Sequence, residues 1–262
     1  MKDEIIEIDV SAIILATGFD MLSAGKLPQY GYGRIKNVIT GLEYERLINA
    51  TGPTGGHLYR PSDGKLAHKV AYLQCIGSRD QRFCSHCSYV CCMYSIKDAM
   101  LAREHDKEAE GYIFHTDFRN VGKWFQRYEN KGKEEYGINY IRSRVGEITE
   151  DKDGNPIIWY EDTKSQETKN LTVDMVVLAI AATPAKGFKR LADVLGIDLN
   201  KEGFVHIKSG ASVVTNKAGI LACGFCVQPC DIPESVAQAS AAAGLAAYIA
   251  LEKGQETLVG EI

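Results

Sequence analysis

Apolar and polar positions alternate along the chain in a way that predicts short strands separated by amphipathic helices. Two continuously apolar runs, residues 12–16 and 175–182, are typical of strands buried inside an α/β sheet. Between them, the pattern predicts strands over residues 69–75, 110–117 and 138–145 and helices over residues 91–105 and 121–136. This strand–helix alternation predicts a parallel sheet.

The remaining pattern adds elements before and after that sheet. Residues 4–10 alternate like a half-buried strand, residues 41–50 predict a helix between turns, and 155–162 with 167–174 predict an antiparallel hairpin. The last quarter predicts a helix over 186–196, strands over 203–208 and 219–224, and a long helix over 233–254. That final helix is rich in alanine, which predicts close packing against a sheet.

Composition narrows the class of protein. The chain has 262 residues, of which 45% are hydrophobic and 24% charged, so it can bury a core as one large or two small domains. Its net charge is -4, and this gives no reason to expect nucleic acid as a partner. No apolar run is long enough to cross a membrane, and the first residues lack the pattern of a secretion signal. We therefore expect a cytoplasmic protein without a membrane span.

Eight cysteines fall into two clusters, which indicates metal or redox chemistry more than isolated buried thiols. The first cluster contains Cys75, Cys84, Cys87, Cys91 and Cys92. The second contains Cys223, Cys226 and Cys230, and for it the residues favour neither metal binding nor a plain packing role. The second cluster is therefore not predicted to bind metal.

Two separate motifs resemble flavoproteins with two dinucleotide-binding domains, of the thioredoxin reductase type. One is an apolar strand that ends in ATG, and the other is GILACG followed by DIPESVAQASAAAG. The chain departs from the pattern at Phe225, where Asp is common, and at Ala181, where Gly is usual. The resemblance implies FAD contacts from Ala16, Thr17, Gly18, Gly224, Asp231, Ile232, Pro233, Glu234, Ser235 and Val236.

The glycine fingerprints of a complete flavoprotein are not found in the sequence. A GxGxxG turn normally holds the FAD pyrophosphate, and a second one normally holds NAD(P)H. Where the second is expected, after residue 75, the chain has a cysteine-rich loop, so we do not expect nicotinamide binding. We therefore predict an incomplete FAD domain at residues 1–66, which returns at 186–262, and a degenerate nicotinamide-type domain at 67–185.

A closer resemblance covers nearly the whole chain. The stretches VITGLEYERLINATGPTGG, VAYLQCIGSRD, CSYVCCMYSIK and DIPESVAQASAAA resemble the HdrA component of heterodisulfide reductase, an oxidoreductase of methanogenesis, in the C-terminal part of its flavin core. The resemblance implies a [4Fe–4S] cluster held by Cys75, Cys87, Cys91 and Cys92. Cys84 could replace Cys87, and four thiols also suit zinc. His86 is the one histidine inside the cysteine loop.

The resemblance also implies a role and partners. Lys97, in the CCMYSIK motif, is expected near the flavin N5, where a cation tunes the flavin; without the resemblance it reads as a surface lysine. Expected partners are a chain with the N-terminal FAD-binding half and ferredoxin-type domains, B-like and C-like subunits, a hydrogenase- or formate-dehydrogenase-linked donor, and ferredoxin. We expect electron transfer between FAD and the cluster, with flavin-based bifurcation.

Two other functions compete with this interpretation. Cys84 and Cys87 form a CxxC pair, so the chain could belong to a flavin-dependent disulfide reductase. Alternatively, zinc could stabilise a non-catalytic subunit that docks other redox proteins.

Overall fold

A computed structural model describes residues 6–259 of the chain, with side chains to residue 252. The chain divides into two compact units. Unit 1 contains the chain up to Asp20 and from Thr183 onward, and unit 2 contains Met21–Ala182. None of the helices in the described range is long and apolar enough to span a membrane.

Twelve strands and five α-helices are described. The strands are β1 Ile13–Leu15, β2 Phe19–Met21, β3 Val38–Thr40, β4 Lys69–Ile76, β5 Glu110–His115, β6 Asn139–Arg142, β7 Val145–Glu150, β8 Pro156–Asp162, β9 Glu167–Thr172, β10 Met175–Ile180, β11 Ala182–Pro184 and β12 Ile220–Ala222. The helices are α1 Gly41–Ile48, α2 Cys91–His105, α3 Phe125–Glu134, α4 Phe188–Leu195 and α5 Ile232–Val259.

Unit 2 is built on a five-stranded parallel sheet. Its strand order is β3-β10-β4-β5-β6, so β4 lies in the centre between β10 and β5. Every residue of β10 is buried, as is β4 after its first residue, which explains their continuous apolar sequences. Parallel strands end at the same edge of a sheet, so the loops after β4, β5 and β6 lie side by side.

The two faces of this sheet bury different side chains of β4. Val70 and Tyr72 point to the face covered by α1 and α2, whereas Ala71 and Leu73 point to the face covered by β7 and β8. The strands β7, β8 and β9 form an antiparallel sheet of their own. The predicted parallel sheet and the helices over it are therefore found, while the predicted hairpin gains a third strand.

That third strand arises because the predicted strand 138–145 is interrupted. β6 ends at Arg142, and β7 begins at Val145 with the partner strand β8. Ser143 is almost completely buried and its backbone N–H donates to the His115 carbonyl at 2.9 Å. The chain therefore leaves the parallel sheet within two residues.

Unit 1 contains β1 and β12, which pair in parallel, and the helices α4 and α5. The prediction of a strand over residues 203–208 was wrong, because only an isolated bridge between Leu199 and Val205 forms there. Asn200 folds this segment into a turn by accepting hydrogen bonds from the backbone N–H groups of Glu202 and Phe204, each at 3.0 Å. The strand predicted at 4–10 is not found in residues 6–10, and residues 4 and 5 lie outside the described range.

The boundaries of the units differ from the predicted domains at the first junction. Residues 21–66, which we expected to belong with the FAD domain, lie in unit 2. The reason is that β3 pairs with β10 in the central sheet and that α1 buries Tyr44 and Ile48 against it. The second junction, predicted after residue 185, lies after residue 182. The strands β2 and β11 form a small sheet of their own.

Two buried tyrosines join α1 to the central sheet. The hydroxyl oxygens of Tyr44 and Tyr72 are 2.7 Å apart, and both side chains are fully buried. The Tyr44 hydroxyl also donates to the Asp98 carbonyl at 3.2 Å. Tyr44 thus has two partners, whereas the hydroxyl contact described for Tyr72 is with Tyr44.

A buried carboxyl lies in α2. The Asp98 side chain is completely shielded from solvent, and the Lys97 ammonium is 2.8 Å from its Oδ1. Lys97 also forms an ion pair with Glu45 of α1. Burial raises the pKa of Asp98 to about 7, although Lys97 acts in the opposite direction.

The tyrosine pair predicts unequal effects of two similar substitutions. Tyr44→Phe should lower the free energy of unfolding by about 1–3 kcal/mol, because the buried Tyr72 hydroxyl loses its hydrogen bond. Tyr72→Phe should cost about 1 kcal/mol or less, since Tyr44 keeps the Asp98 carbonyl. The double variant should be no less stable than Tyr44→Phe alone. Urea unfolding measures this, with Tyr59→Phe as a half-exposed control; equal and additive losses would contradict it.

The buried carboxyl predicts a pH effect on stability. Because the pKa of Asp98 is raised on folding, the folded state binds the proton more tightly, and stability is lost as the pH rises from about 4 to about 7. Asp98→Asn should remove this loss, so its stability relative to the parent protein should increase across that range by more than about 1 kcal/mol. The control Asp193→Asn removes an exposed charge from α4. If the difference in stability between Asp98→Asn and the parent protein does not change with pH, the explanation is wrong.

Candidate functional site

The cysteine loop begins at the carboxyl end of the central strand. Cys75 lies near the end of β4, and its backbone is left-handed, with φ of 59°. A non-glycine residue in this region is strained by about 1–2 kcal/mol, and strain of this kind clusters at functional sites. The register between β4 and β10 also shifts beside it. Both features turn the Cys75 side chain out of the regular alternation of the strand.

Buried hydroxyl groups fix the conformation of the loop that follows. Ser78 donates to the His86 carbonyl at 2.8 Å and accepts a hydrogen bond from the Ser88 N–H at 3.1 Å. Ser88 in turn accepts from the Ala182 N–H at 2.9 Å. The His86 ring nitrogen Nε2 lies 2.8 Å from the Ala182 carbonyl. His86 therefore contributes to the loop structure.

Four of the five loop cysteines lie within electrostatic reach of one another. Burial raises the pKa of Cys75, and Cys92 and Cys87 add to the increase. Cys91 and Cys92 are the first two residues of α2, and both are almost fully buried. Their thiols share a hydrogen bond, which raises the pKa of Cys91 and lowers that of Cys92 to about 7.

Cys84 stands apart from those four thiols. Burial raises its pKa, and the nearby charge that acts on it is Lys26 rather than another cysteine. Its backbone closes the loop, because its N–H donates to the Gly77 carbonyl at 3.1 Å and its carbonyl accepts from Asp80 at 2.9 Å. The structure thus brings together the four cysteines expected as ligands and leaves Cys84 in a separate position.

Hydrogen-bond donors and one positive charge lie close to three of the four thiols. The Tyr89 N–H points to the Cys87 sulfur at 3.3 Å, and the Arg119 N–H points to the Cys92 sulfur at 3.5 Å. The positive charge of the Arg79 guanidinium lowers the pKa of Cys75, which burial raises. Thiolates that bind an iron–sulfur cluster are stabilised by such groups, so the donor set fits an anionic cluster. Over residues 6–259, no three His, Cys, Asp or Glu side chains are arranged to hold a single metal ion.

Lys97 lies on α2, five residues after Cys92. Its ammonium is paired with Glu45 and Asp98, and its side chain is 37% exposed. The ammonium is therefore held in place by two carboxylates. Its predicted role beside a flavin stays a prediction.

The predicted flavin motifs meet in unit 1. Because β1 and β12 pair in parallel, the residues that follow them lie at the same edge of the sheet. These residues are Ala16, Thr17 and Gly18 after β1 and Gly224 after β12. Gly18 and Gly224 have φ values of 68° and 71°, which glycine adopts without strain. No side chain restricts the approach to Gly18, where an added Cβ would meet nothing within 4 Å. The two turns form an open edge of unit 1, which we call the cradle.

The long helix α5 begins at this edge. Asp231 caps it by accepting hydrogen bonds from the backbone N–H groups of Glu234 and Ser235, through its carboxylate and its carbonyl, both at 2.9 Å. Gln238 accepts from the Gly224 N–H at 2.7 Å, which joins the helix to the glycine turn. The first turn of α5 also contains Ile232, Pro233 and Val236. A helix N-terminus beside a glycine turn fits the phosphate groups and the reduced ring of a flavin.

The second cysteine cluster lies beneath the same turns. Cys226 donates to the carbonyls of Leu15 and Cys223, at 3.4 and 3.2 Å, and Cys230 lies 3.2 Å from the Ser235 hydroxyl. Burial raises the pKa of all three thiols. These contacts give the cluster a packing role at the base of the cradle.

Our sequence interpretation missed Arg79, Asp117 and Arg119. Arg79 follows β4, and Asp117 and Arg119 follow β5, so adjacent parallel strands deliver all three to the edge that holds Cys75. The strand order could have indicated this placement, because residues just after neighbouring parallel strands share one edge.

Known proteins similar to the chain fall into two groups. The first group comprises curated sequences. An iron–sulfur subunit of CoB–CoM heterodisulfide reductase, the HdrA component, from Methanocaldococcus jannaschii is 43% identical over 97% of this chain and 39% of its own length. The corresponding component of an H2/formate:CoB–CoM heterodisulfide,ferredoxin reductase from Methanococcus maripaludis is also 43% identical, with the same coverage. No family model matches the chain.

The second group comprises solved structures. Thioredoxin reductase of Lactococcus lactis, in its FR conformation, aligns with a TM-score of 0.58 at 19% identity, over 92% of this chain and 66% of its own. Thioredoxin reductase of T. acidophilum aligns with a TM-score of 0.55 at 18% identity, over 94% and 66%. At these identities the likeness concerns the fold, and it confirms the predicted thioredoxin-reductase-like α/β architecture.

The sequence matches confirm the resemblance that the cysteine and DIPES motifs predicted. The chain spans about two fifths of the length of the curated relatives, 39% of the M. jannaschii protein. By its sequence, the chain belongs to the HdrA family of heterodisulfide reductase components, as a polypeptide that corresponds to part of HdrA.

Proposed function

We propose that this chain is the electron-transfer part of a heterodisulfide-reductase-like oxidoreductase. Unit 2 binds a [4Fe–4S] cluster through Cys75, Cys87, Cys91 and Cys92, and unit 1 contributes to an FAD site. The observation that carries the proposal is that four thiols, from the end of β4, the loop after it and the start of α2, lie within electrostatic reach of one another. The relatives named as iron–sulfur subunits favour iron over zinc.

The residues of this chain prepare the cluster site in three ways. The bend at Cys75 and the N-terminus of α2 bring thiols from distant parts of the loop together. The N–H groups of Tyr89 and Arg119 hold the sulfurs of Cys87 and Cys92 in an orientation that favours thiolates. Burial of Cys91 and Cys92 excludes water from the sulfur atoms. When bound, the cluster supplies one-electron chemistry to the protein.

The residues proposed for FAD act through their backbone. Ala16, Thr17, Gly18 and Gly224 form the cradle, and the first turn of α5, from Asp231 to Val236, lies beside it, where the positive end of the helix dipole suits an anion. FAD supplies two-electron and one-electron transfer when it is bound. We keep Lys97 as the residue expected to stabilise negative charge on the flavin, with Glu45 and Asp98 holding its ammonium in place.

We also propose the partners that the names of the relatives indicate. A reductase named for H2 or formate, heterodisulfide and ferredoxin joins a hydrogenase- or formate-dehydrogenase-linked donor to two acceptors. We therefore infer B-like and C-like subunits, ferredoxin, and a polypeptide segment with the other FAD-binding half, with bifurcation at the flavin.

Cysteine variants test the proposal. After anaerobic reconstitution with iron and sulfide, the protein should hold about four irons, with a cluster EPR signal on reduction. Cys91→Ser and Cys92→Ser should each remove most of the iron and the signal, because each removes a ligand. Cys84→Ser and Cys226→Ser should keep both, since the first thiol stands apart and the second lies in unit 1.

The same measurement separates the alternatives. Zinc without iron would instead support a structural role in docking other redox proteins. If the protein shows a reversible dithiol without iron, and Cys84→Ser loses it, a CxxC disulfide reductase is the better account. Equal iron content in all four variants would contradict the proposed ligands.

A further inference from the structure

Arg79 is held beside the thiols by an unusual backbone. Its φ is 54°, in the left-handed region, and its N–H donates to the His86 carbonyl at 2.9 Å across the cysteine loop. Such a conformation costs about 1–2 kcal/mol at a non-glycine residue, so the surrounding loop must impose it. The buried hydroxyls of Ser78 and Ser88 do so by fixing the loop on either side of the His86 carbonyl. The backbone position from which the Arg79 side chain extends is therefore fixed.

The guanidinium of Arg79 is fixed at its far end as well. It forms an ion pair with the Asp117 carboxylate through both terminal nitrogens, and its Nη1 donates to the Thr116 hydroxyl at 3.3 Å. Thr116 and Asp117 directly follow β5, the neighbour of β4 in the sheet. A two-pronged contact to a carboxylate restricts the guanidinium more than a single contact can. The positive charge is thus held between two adjacent strand ends.

Arg79 and Asp117 act on the cysteines in opposite directions. The pair lies next to the Cys92 sulfur, because Asp117 is two residues before Arg119, whose backbone N–H points to that sulfur at 3.5 Å. The positive charge of Arg79 lowers the pKa of both Cys75 and Cys92. Asp117 disfavours the thiolate of Cys92. Cys75 and Cys92 are two of the four expected ligands, and they come from opposite ends of the loop. One cation and one anion therefore face the same group of sulfurs.

We propose that Arg79 and Asp117 are positioning residues that set the reduction potential of the cysteine-bound cluster, Arg79 raising it and Asp117 limiting the increase. This inference rests on the proposed cluster function. Each electron accepted at the cysteines adds a negative charge, which a nearby cation stabilises and a nearby anion destabilises. The carboxylate has a second effect, because it holds the guanidinium in place. The net potential reflects the balance of the pair.

Four variants and a control test this balance. Arg79→Gln should lower the midpoint potential of the cluster, with the ratio of reduced to oxidised protein at a fixed potential falling about tenfold, or 59 mV. Asp117→Asn should raise the potential, and Arg79→Gln combined with Asp117→Asn should return it toward the parent value. Arg79→Lys keeps the charge and should retain most of the potential. The control Arg142→Gln removes a guanidinium that donates a hydrogen bond to the Thr116 carbonyl but contacts no cysteine.

The measurement is an EPR-monitored redox titration of the reconstituted full chain at low ionic strength, because about half of the Asp117 side chain is exposed and salt screens it. Opposite shifts for the two single variants, with compensation in the double variant, support the inference. Unchanged potentials, or shifts of the same sign, overturn it, since a merely structural role would not produce opposite signs.

Two results separate this inference from the proposed function. If the parent protein takes up no iron–sulfur cluster, the proposed function fails, and the inference fails with it. If the parent binds the cluster and the variants do not shift its potential, the inference alone fails. If Arg79→Gln does not retain the cluster, Asp117→Asn decides: a higher potential supports the inference, and an unchanged or lower one overturns it.

Discussion

Four neighbouring thiols, three of them buried, cannot all ionise beside one another unless positive charge compensates them, and the edge of the sheet that holds them meets this constraint. Burial and the neighbouring thiols raise the pKa of Cys75, and the hydrogen bond with Cys92 and burial raise that of Cys91. Groups at the edge of the parallel sheet where the thiols lie provide this positive potential. The N-terminus of α2, two backbone N–H groups and the Arg79 guanidinium all face the sulfurs. Iron would complete the compensation, since thiolates bind it directly.

The loop at this sheet edge differs in sequence from that of a dinucleotide-binding domain. In a dinucleotide-binding domain, the loop after the central strand is rich in glycine and places N–H groups against phosphates. Here that loop runs from Gly77 to Val90 and contains Cys84 and Cys87, with the buried serines Ser78 and Ser88 holding its shape. This edge also gathers backbone N–H groups, and here they point to the sulfurs of Cys87 and Cys92.

Much of this arrangement could be predicted from the sequence. The apolar runs identified the central strands β4 and β10 because both are buried on two faces, and the CCMYSIK motif identified the start of α2. The paired turns after β1 and β12 followed from the ATG and GILACG motifs. These features depend on local pattern or on motifs, which a single sequence displays.

The rest depends on contacts between distant residues, which no local pattern encodes. The assignment of residues 21–66 to unit 2 depends on β3 pairing with a strand more than a hundred residues away. The false strand at 203–208 has suitable residues, but Asn200 binds the backbone instead. In the sequence, Arg79 is an ordinary loop residue. In the structure, the ends of β4 and β5 place it against Asp117, where its charge acts on Cys75.

The most direct measurement of the central claim is anomalous X-ray diffraction at the iron edge from crystals of the anaerobically reconstituted protein. The account predicts one iron–sulfur cluster bonded to the sulfurs of Cys75, Cys87, Cys91 and Cys92, with Arg79 beside Cys75. Iron bonded to Cys84 in place of Cys87, iron at Cys223, Cys226 and Cys230 alone, or a signal at the zinc edge only, would contradict it.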